Sequence, residues 1–152
     1  MNKLIRKVSS LIPTMIVPTK SLLFSNSAFR NRYNLLKEAE CWNRADIETW
    51  QTKQLSALLF DVYQGVEAVR HHWLKAGFHP KDFTQLSHIN DIPVYDKQFV
   101  KQASDGMFNP NFPKSKTTYR FTGGSTGAPM KFGLEQRQIY EEKAYFYYIW
   151  EK

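Results

Sequence analysis

Tyr119-Arg120-Phe121-Thr122-Gly123-Gly124-Ser125-Thr126-Gly127-Ala128-Pro129-Met130-Lys131-Phe132 is a glycine and hydroxyl loop set between two short runs with strand character. Upstream, Thr117, Thr118, Tyr119 and Phe121 are β-branched or aromatic. Downstream, Met130, Phe132 and Leu134 alternate with Lys131 and Gly133. The pattern predicts strand, tight loop, strand. Three glycines within five positions allow positive φ and let a ligand approach the backbone, because no Cβ stands in the way. Successive N–H groups can then converge on an anion, and the hydroxyls of Thr122, Ser125 and Thr126 add donors suited to phosphate oxygens. Arg120 and Lys131 flank the loop with positive charge, and Pro129 restricts how the chain leaves it. The same composition also describes an ordinary flexible hairpin, so the residues alone leave a phosphate loop and a plain turn side by side. A Walker-type loop is disfavoured, since five positions after Gly123 stands Ala128 and five after Gly124 stands Pro129. No GxGxxG dinucleotide fingerprint is present either.

After the second strand, Glu135 to Lys152 is helical in composition, with Tyr140, Tyr145, Phe146, Tyr147, Tyr148 and Trp150 crowded on most faces. Aromatics all round a helix imply burial on several sides. Glu135, Glu141, Glu142 and Glu151 on the same segment argue against a nucleic-acid stacking surface, so no nucleic acid is expected as a partner.

Upstream, Leu55, Leu58, Leu59, Val62, Val66, Val69 and Trp73 recur at three- and four-residue spacing, which predicts one long helix over about 45–76. Asn43 or Asp46 is placed to cap it, Gly77 to stop it and Pro80 to prevent its restart. Asp96 is placed to cap a further helix through Gln98, Phe99 and Val100. The histidines His71, His72, His79 and His88 lack metal-ligand spacing and read as surface or cap residues. Pro18 to Asn34 reads as a basic loop with one helical turn, and helical composition resumes at Leu35.

At the N-terminus, Leu4, Ile5, Val8, Leu11, Ile12, Met15 and Ile16 form an apolar stripe beside Lys3, Arg6 and Lys7. Such a basic amphipathic arm either packs on its own domain or lies on a membrane surface as a peripheral contact. Pro13, Thr14, Pro18 and Lys20 interrupt the apolar run far short of a bilayer span, and no small-residue cleavage site follows. The 152-residue length fits one domain, and 42% apolar with 15% aromatic residues describes a folded chain. A net charge of +7 favours anionic partners, nucleotides, nucleic acid and anionic lipid among them, without choosing, which leaves a non-enzymatic basic module that binds anionic lipid or nucleic acid through its N-terminal arm as the alternative reading. The single Cys41 excludes an intramolecular disulfide and suits a reducing cytoplasm.

Thr122-Gly123-Gly124-Ser125-Thr126-Gly127-Ala128-Pro129 resembles the Ser/Thr-Ser-Gly-Ser/Thr-Thr-Gly-x-Pro phosphate loop of adenylate-forming, AMP-binding enzymes. Within that group it is most similar to the phenylacetate-CoA ligase-like branch associated with capsular polysaccharide biosynthesis, the CapK-like proteins. Gln51 to Leu59, Trp73, Gly77-Phe78-His79-Pro80 and Ile92-Pro93-Val94-Tyr95-Asp96-Lys97 precede the loop in the order found there, so the resemblance runs from about Leu35 to the end, and more faintly through Leu11-Ile12-Pro13. Two positions depart from the pattern. Gly123 replaces the usual Ser, and Met130 stands where many members carry a Lys, with Lys131 one place later.

The resemblance implies an α/β fold, with this chain the N-terminal fragment of an adenylate-forming large domain. A helical portion would lead into a β-hairpin carrying the phosphate loop and then a C-terminal helix. Residues 1–34 would be the basic arm and connection, and 35–152 the start of the AMP-binding domain, incomplete at its C-terminus. The implied partners are ATP with Mg and a carboxylate substrate, which attacks the α-phosphate to give an acyl-adenylate. Thr122, Gly123, Gly124, Ser125, Thr126 and Gly127 would hold phosphate, with Arg120 and Lys131 in support. The Mg ligands and the catalytic Lys of the family lie beyond the glycine loop, which leaves the catalytic residues of this chain unassigned.

Overall fold

Asn26 and Asn43 each open a helix by taking up N–H groups that the first turn leaves without partners. The computed structural model of the chain describes residues 20–112, 114–122 and 129–152; the amphipathic arm over 1–17 lies outside them. A short helix α1, Lys20–Ser25, leads into α2, Ser27–Ala39. Asn26 Oδ1 accepts from Ala28 N at 2.9 Å and Phe29 N at 3.3 Å. The loop expected over Pro18 to Asn34 is therefore mostly helix. Its stabilisation comes from packing rather than propensity. Phe29 is completely buried, and Phe24, Phe29 and Tyr33 meet Tyr147 of the C-terminal helix with ring centroids 5.7–5.8 Å apart.

Helix α3, Arg44–Gly65, starts in a capping box: Asp46 N donates to Asn43 Oδ1 at 3.0 Å and Asn43 N to Asp46 Oδ2 at 3.2 Å. Both candidate caps thus act together. The single long helix expected over 45–76 is broken at Val66 (φ −115°, ψ 99°), after which α4 runs Glu67–Lys75. Local chemistry makes the break inexpensive. The Arg70 guanidinium donates to Tyr63 O at 3.3 Å and Gln64 O at 3.1 Å, carbonyls left free at the α3 end. Gly65 leaves room for the Asn109 amide, onto which a Cβ would fall. The bend turns Val66, Val69 and Trp73 against Leu59, Phe78 and Phe83, the first hydrophobic core.

Gly77 ends α4 with φ 75°. Phe78 N donates to Trp73 O at 2.9 Å and Gly77 N to Leu74 O at 3.1 Å, the paired bonds of a Schellman stop. Two 3-10 turns follow at Pro80–Asp82 and Leu86–Asp91, then helix α5, Lys97–Ala103. Asp96 Oδ1 caps α5 by accepting from Phe99 N at 2.7 Å. Strands β1, Thr117–Phe121, and β2, Lys131–Glu135, form an antiparallel pair, and β2 passes directly into α6, Gln136–Trp150. The described fold is mostly helical, with this one small sheet.

Helix α6 lies along α2. Ala144, fully buried, lets the two helices approach, and it joins Leu23 and Phe29 in a second core flanked by Tyr140 and Tyr147. Burial on several sides, expected from the crowded aromatics, is not what this chain provides: Phe146, Ile149 and Trp150 are 48%, 62% and 80% exposed on the opposite face. Among the described residues no helix is long and apolar enough to cross a membrane.

Ion pairs border the α2–α6 contact. Arg32 Nη2 lies 2.6 Å from Glu141, which also accepts from Arg137 at 2.7 Å, while Tyr33 Oη donates to Glu151 at 2.6 Å. Burial works to raise the Glu141 carboxyl, but hydrogen bonds from Arg137 and Arg32 outweigh it and hold the group below the ordinary glutamate range. Glu151 is lowered chiefly by the Tyr33 hydroxyl. A depressed carboxylate adds stability above its unfolded pKa, and that stability is lost as pH falls through the folded value, here below about pH 4.3. Glu141→Gln is therefore expected to shrink the drop in melting temperature between about pH 7 and pH 3. A drop as steep as that of the natural chain would place the acid sensitivity elsewhere.

Candidate functional site

Two extended runs of equal length set the register: Thr117 pairs with Glu135, Tyr119 with Gly133 and Phe121 with Lys131. These are the two strands that the alternation predicts. Beyond the ladder one more pair closes the neck of the loop. Thr122 N donates to Met130 O at 2.9 Å, and Met130 N donates to Thr122 Oγ1, also at 2.9 Å. The second bond uses a side-chain hydroxyl where a ladder would use a carbonyl. Thr122 therefore pins the loop base, and its O–H proton stays available for donation. Gly123, Gly124, Ser125, Thr126 and Gly127 lie outside the described residues.

Side chains alternate along the ribbon, so Tyr119, Phe121, Lys131 and Gly133 share one face and Arg120 and Phe132 the other. Lys131 Nζ lies 4.0 Å from the centroid of the Tyr119 ring, a cation-π contact between diagonal neighbours. The two cations thus stand on opposite faces at the base of the loop. The only carboxylate on the two strands is Glu135 at the far end, where its N–H donates to Gln138 Oε1 at 3.0 Å as β2 becomes α6. The mouth of the hairpin is electropositive.

A lone two-stranded ribbon is marginal in water. This one leans on Phe108, whose ring meets Tyr119 edge-on at 6.2 Å. Gly133 makes room for Thr117 across the ribbon: a Cβ there would come within 2.7 Å of Thr117 Cγ2, while Phe108 Cε1 at 3.7 Å would remain at ordinary contact distance. Phe121 is nonetheless 64% exposed, so the ribbon end projects into solvent.

Reading the sequence did not find Tyr119 as the support of Lys131, nor Thr122 as the neck. Both depend on register, which pairs residues 8 and 12 positions apart and which alternation alone does not set. The histidines serve local roles. His79 Nδ1 accepts from Lys81 N at 3.1 Å, His72 Nε2 lies 3.2 Å from Val94 O, and His88 Nδ1 lies 3.0 Å from Asp82 O. Among the described residues no group of three or more His, Cys, Asp or Glu is arranged to hold a metal ion. Comparison with protein-family models and with curated proteins finds no match.

Thr122→Val keeps the shape at the neck and removes the acceptor for Met130 N–H. Leaving that half-buried donor without a partner is expected to cost about 1–2 kcal/mol of local stability. Hydrogen exchange at the Met130 amide should accelerate in Thr122→Val and stay near the natural rate in Thr122→Ser. Equal protection in all three chains would remove the hydroxyl from the neck.

Proposed function

We propose that the hairpin is the phosphate-holding element of an adenylate-forming ligase of the phenylacetate-CoA ligase-like, CapK-like branch, and that this chain is the N-terminal part of such an enzyme. The observation that carries the reading is the pinned neck. Thr122 and Met130 fix both ends of a Gly, Ser and Thr loop whose sequence resembles the family's phosphate loop, between two cations on an otherwise uncharged ribbon end.

In this reading the loop amides of Gly123, Gly124 and Gly127 and the hydroxyls of Ser125 and Thr126 hold the β- and γ-phosphates of ATP. Arg120 and Lys131 balance the charge that gathers on the leaving phosphates. A carboxylate substrate attacks the α-phosphate of ATP, forming the acyl-adenylate as the bond between the α-phosphate and the β-phosphate breaks and pyrophosphate leaves. Lys131 takes part by leaving the Tyr119 ring for a phosphate oxygen, an exchange of a cation-π contact for a charge-assisted bond.

Calorimetric titration of the chain with ATP, and separately with inorganic triphosphate, tests the reading. Both should bind saturably. Thr126→Val should weaken binding about tenfold, the equivalent of one hydrogen bond to a charged group, with an unchanged melting temperature. Binding that Thr126→Val leaves intact, or no binding of either compound, would sink it.

A further inference from the structure

The N-terminal half of α3 borders an open groove of about 1190 Å³, closed on its other side by residues 80–87. No residue of the hairpin belongs to it. On the helix side Ala45, Glu48, Thr49, Thr52, Ser56 and Phe60 recur at three- and four-residue intervals, a single stripe of the helix surface. From Arg44 to Phe60 that stripe is about 24 Å long at ~1.5 Å per residue, the reach of about seven extended residues.

We propose that this groove docks an extended acidic peptide segment bearing one apolar anchor side chain. Charge is the first argument. Arg44, Lys53 and Lys81 line the groove with Glu48 as the only carboxylate, and Glu48 is already held by Arg44 at 2.7 Å. Among the described residues Lys53 and Lys81 take part in no ion pair, so two cations face the groove uncompensated.

The second argument is the form of the walls. Thr52 Oγ1 donates back to Glu48 O at 2.7 Å, while Thr49, Ser56, Thr84 and Ser87 make no side-chain hydrogen bond among the described residues. Their hydroxyls are placed along both walls to meet peptide N–H and C=O groups, which an extended segment presents on alternate sides. Between the walls lies an apolar floor. Pro80 and Phe83 lie buried beneath it, and its accessible apolar surface comes from half-buried Leu86 and from Phe60, which is 36% exposed. That floor takes one aliphatic anchor and gives the complex a register that charge alone does not. Because the groove is concave, a flat lipid surface would reach its rim and not its floor.

Fluorescence anisotropy with a labelled peptide of about eight residues, Glu and Asp around a central Leu, tests the proposal on the full chain. Saturable binding is expected, with Lys53→Glu and Lys81→Glu each weakening it about tenfold or more. Lys143→Glu, an exposed charge on α6, should change it less than about twofold, as expected for a distant surface charge. Ser56→Trp should abolish binding by filling the floor, and melting temperatures would verify that each variant is folded. The proposal fails if nothing binds, if Lys143→Glu costs as much as the groove variants, or if the Gln and Asn version of the peptide binds equally well. It fails too if inorganic polyphosphate displaces the peptide with the same sensitivity to Lys53 and Lys81, because the surface would then read charge and not a peptide.

Discussion

Phe29→Ala is expected to destabilise the chain by about 3–5 kcal/mol, the range for emptying a buried aromatic site. Phe29 has no exposed surface, and its ring lies 5.1 Å from that of Phe24, 6.2 Å from that of Tyr33 and 5.8 Å from that of Tyr147. The cavity cannot close easily. Tyr33 is anchored through its hydroxyl to Glu151, and Ala144 has already brought α2 and α6 together. Against a total stability of about 5–15 kcal/mol such a loss removes a large share, and α6 would come away from α2. Urea unfolding with near-ultraviolet circular dichroism measures it. A midpoint shift equivalent to less than about 1 kcal/mol, the size of an ordinary surface change, would mean that α1, α2 and α6 do not share a core.

The second large effect lies in the other core, at Trp73. This side chain is 3% exposed, stacks against Tyr63 at 6.5 Å and meets the Phe78 ring edge-on at 5.3 Å. Trp73→Ala should cost about 3–5 kcal/mol. Trp73→Phe should cost less than about 1 kcal/mol despite the smaller ring, because it also removes an indole N–H that has no hydrogen-bond partner among the described residues. Deleting a buried donor without a partner recovers its desolvation penalty, which offsets the lost contact area. Thermal unfolding of both variants separates the two effects. If Trp73→Phe were as damaging as Trp73→Ala, the indole N–H would have to be making a hydrogen bond.

The contrast between these cores explains how much of the fold was legible in the sequence. Gly77, Asp96 and the Asn43–Asp46 pair act within one turn of their own helices, and the alternation around the glycine loop gave both strands. By contrast α1 and α2 are helical because Phe24, Phe29 and Tyr33 meet a helix more than 100 residues away in sequence, which no local pattern announces. The break at Val66 was hidden for a related reason. Apolar spacing continues through it, and only Arg70 on the freed carbonyls and Asn109 against Gly65 reveal why the bend is tolerated. At the candidate site, composition pointed to the loop and its flanking cations. The neck bond of Thr122 and the Tyr119 support of Lys131 became visible only with the register.

Amide chemical shifts of the isotopically labelled chain, followed by NMR during titration with ATP, test most directly whether the pinned loop is a phosphate site. Saturable shifts centred on the amides of Thr122, Gly123, Gly124, Ser125, Thr126 and Gly127, extending to Lys131 and lost in Thr126→Val, are the predicted result. Silence at those amides, or shifts that appear only elsewhere on this basic surface, would contradict it.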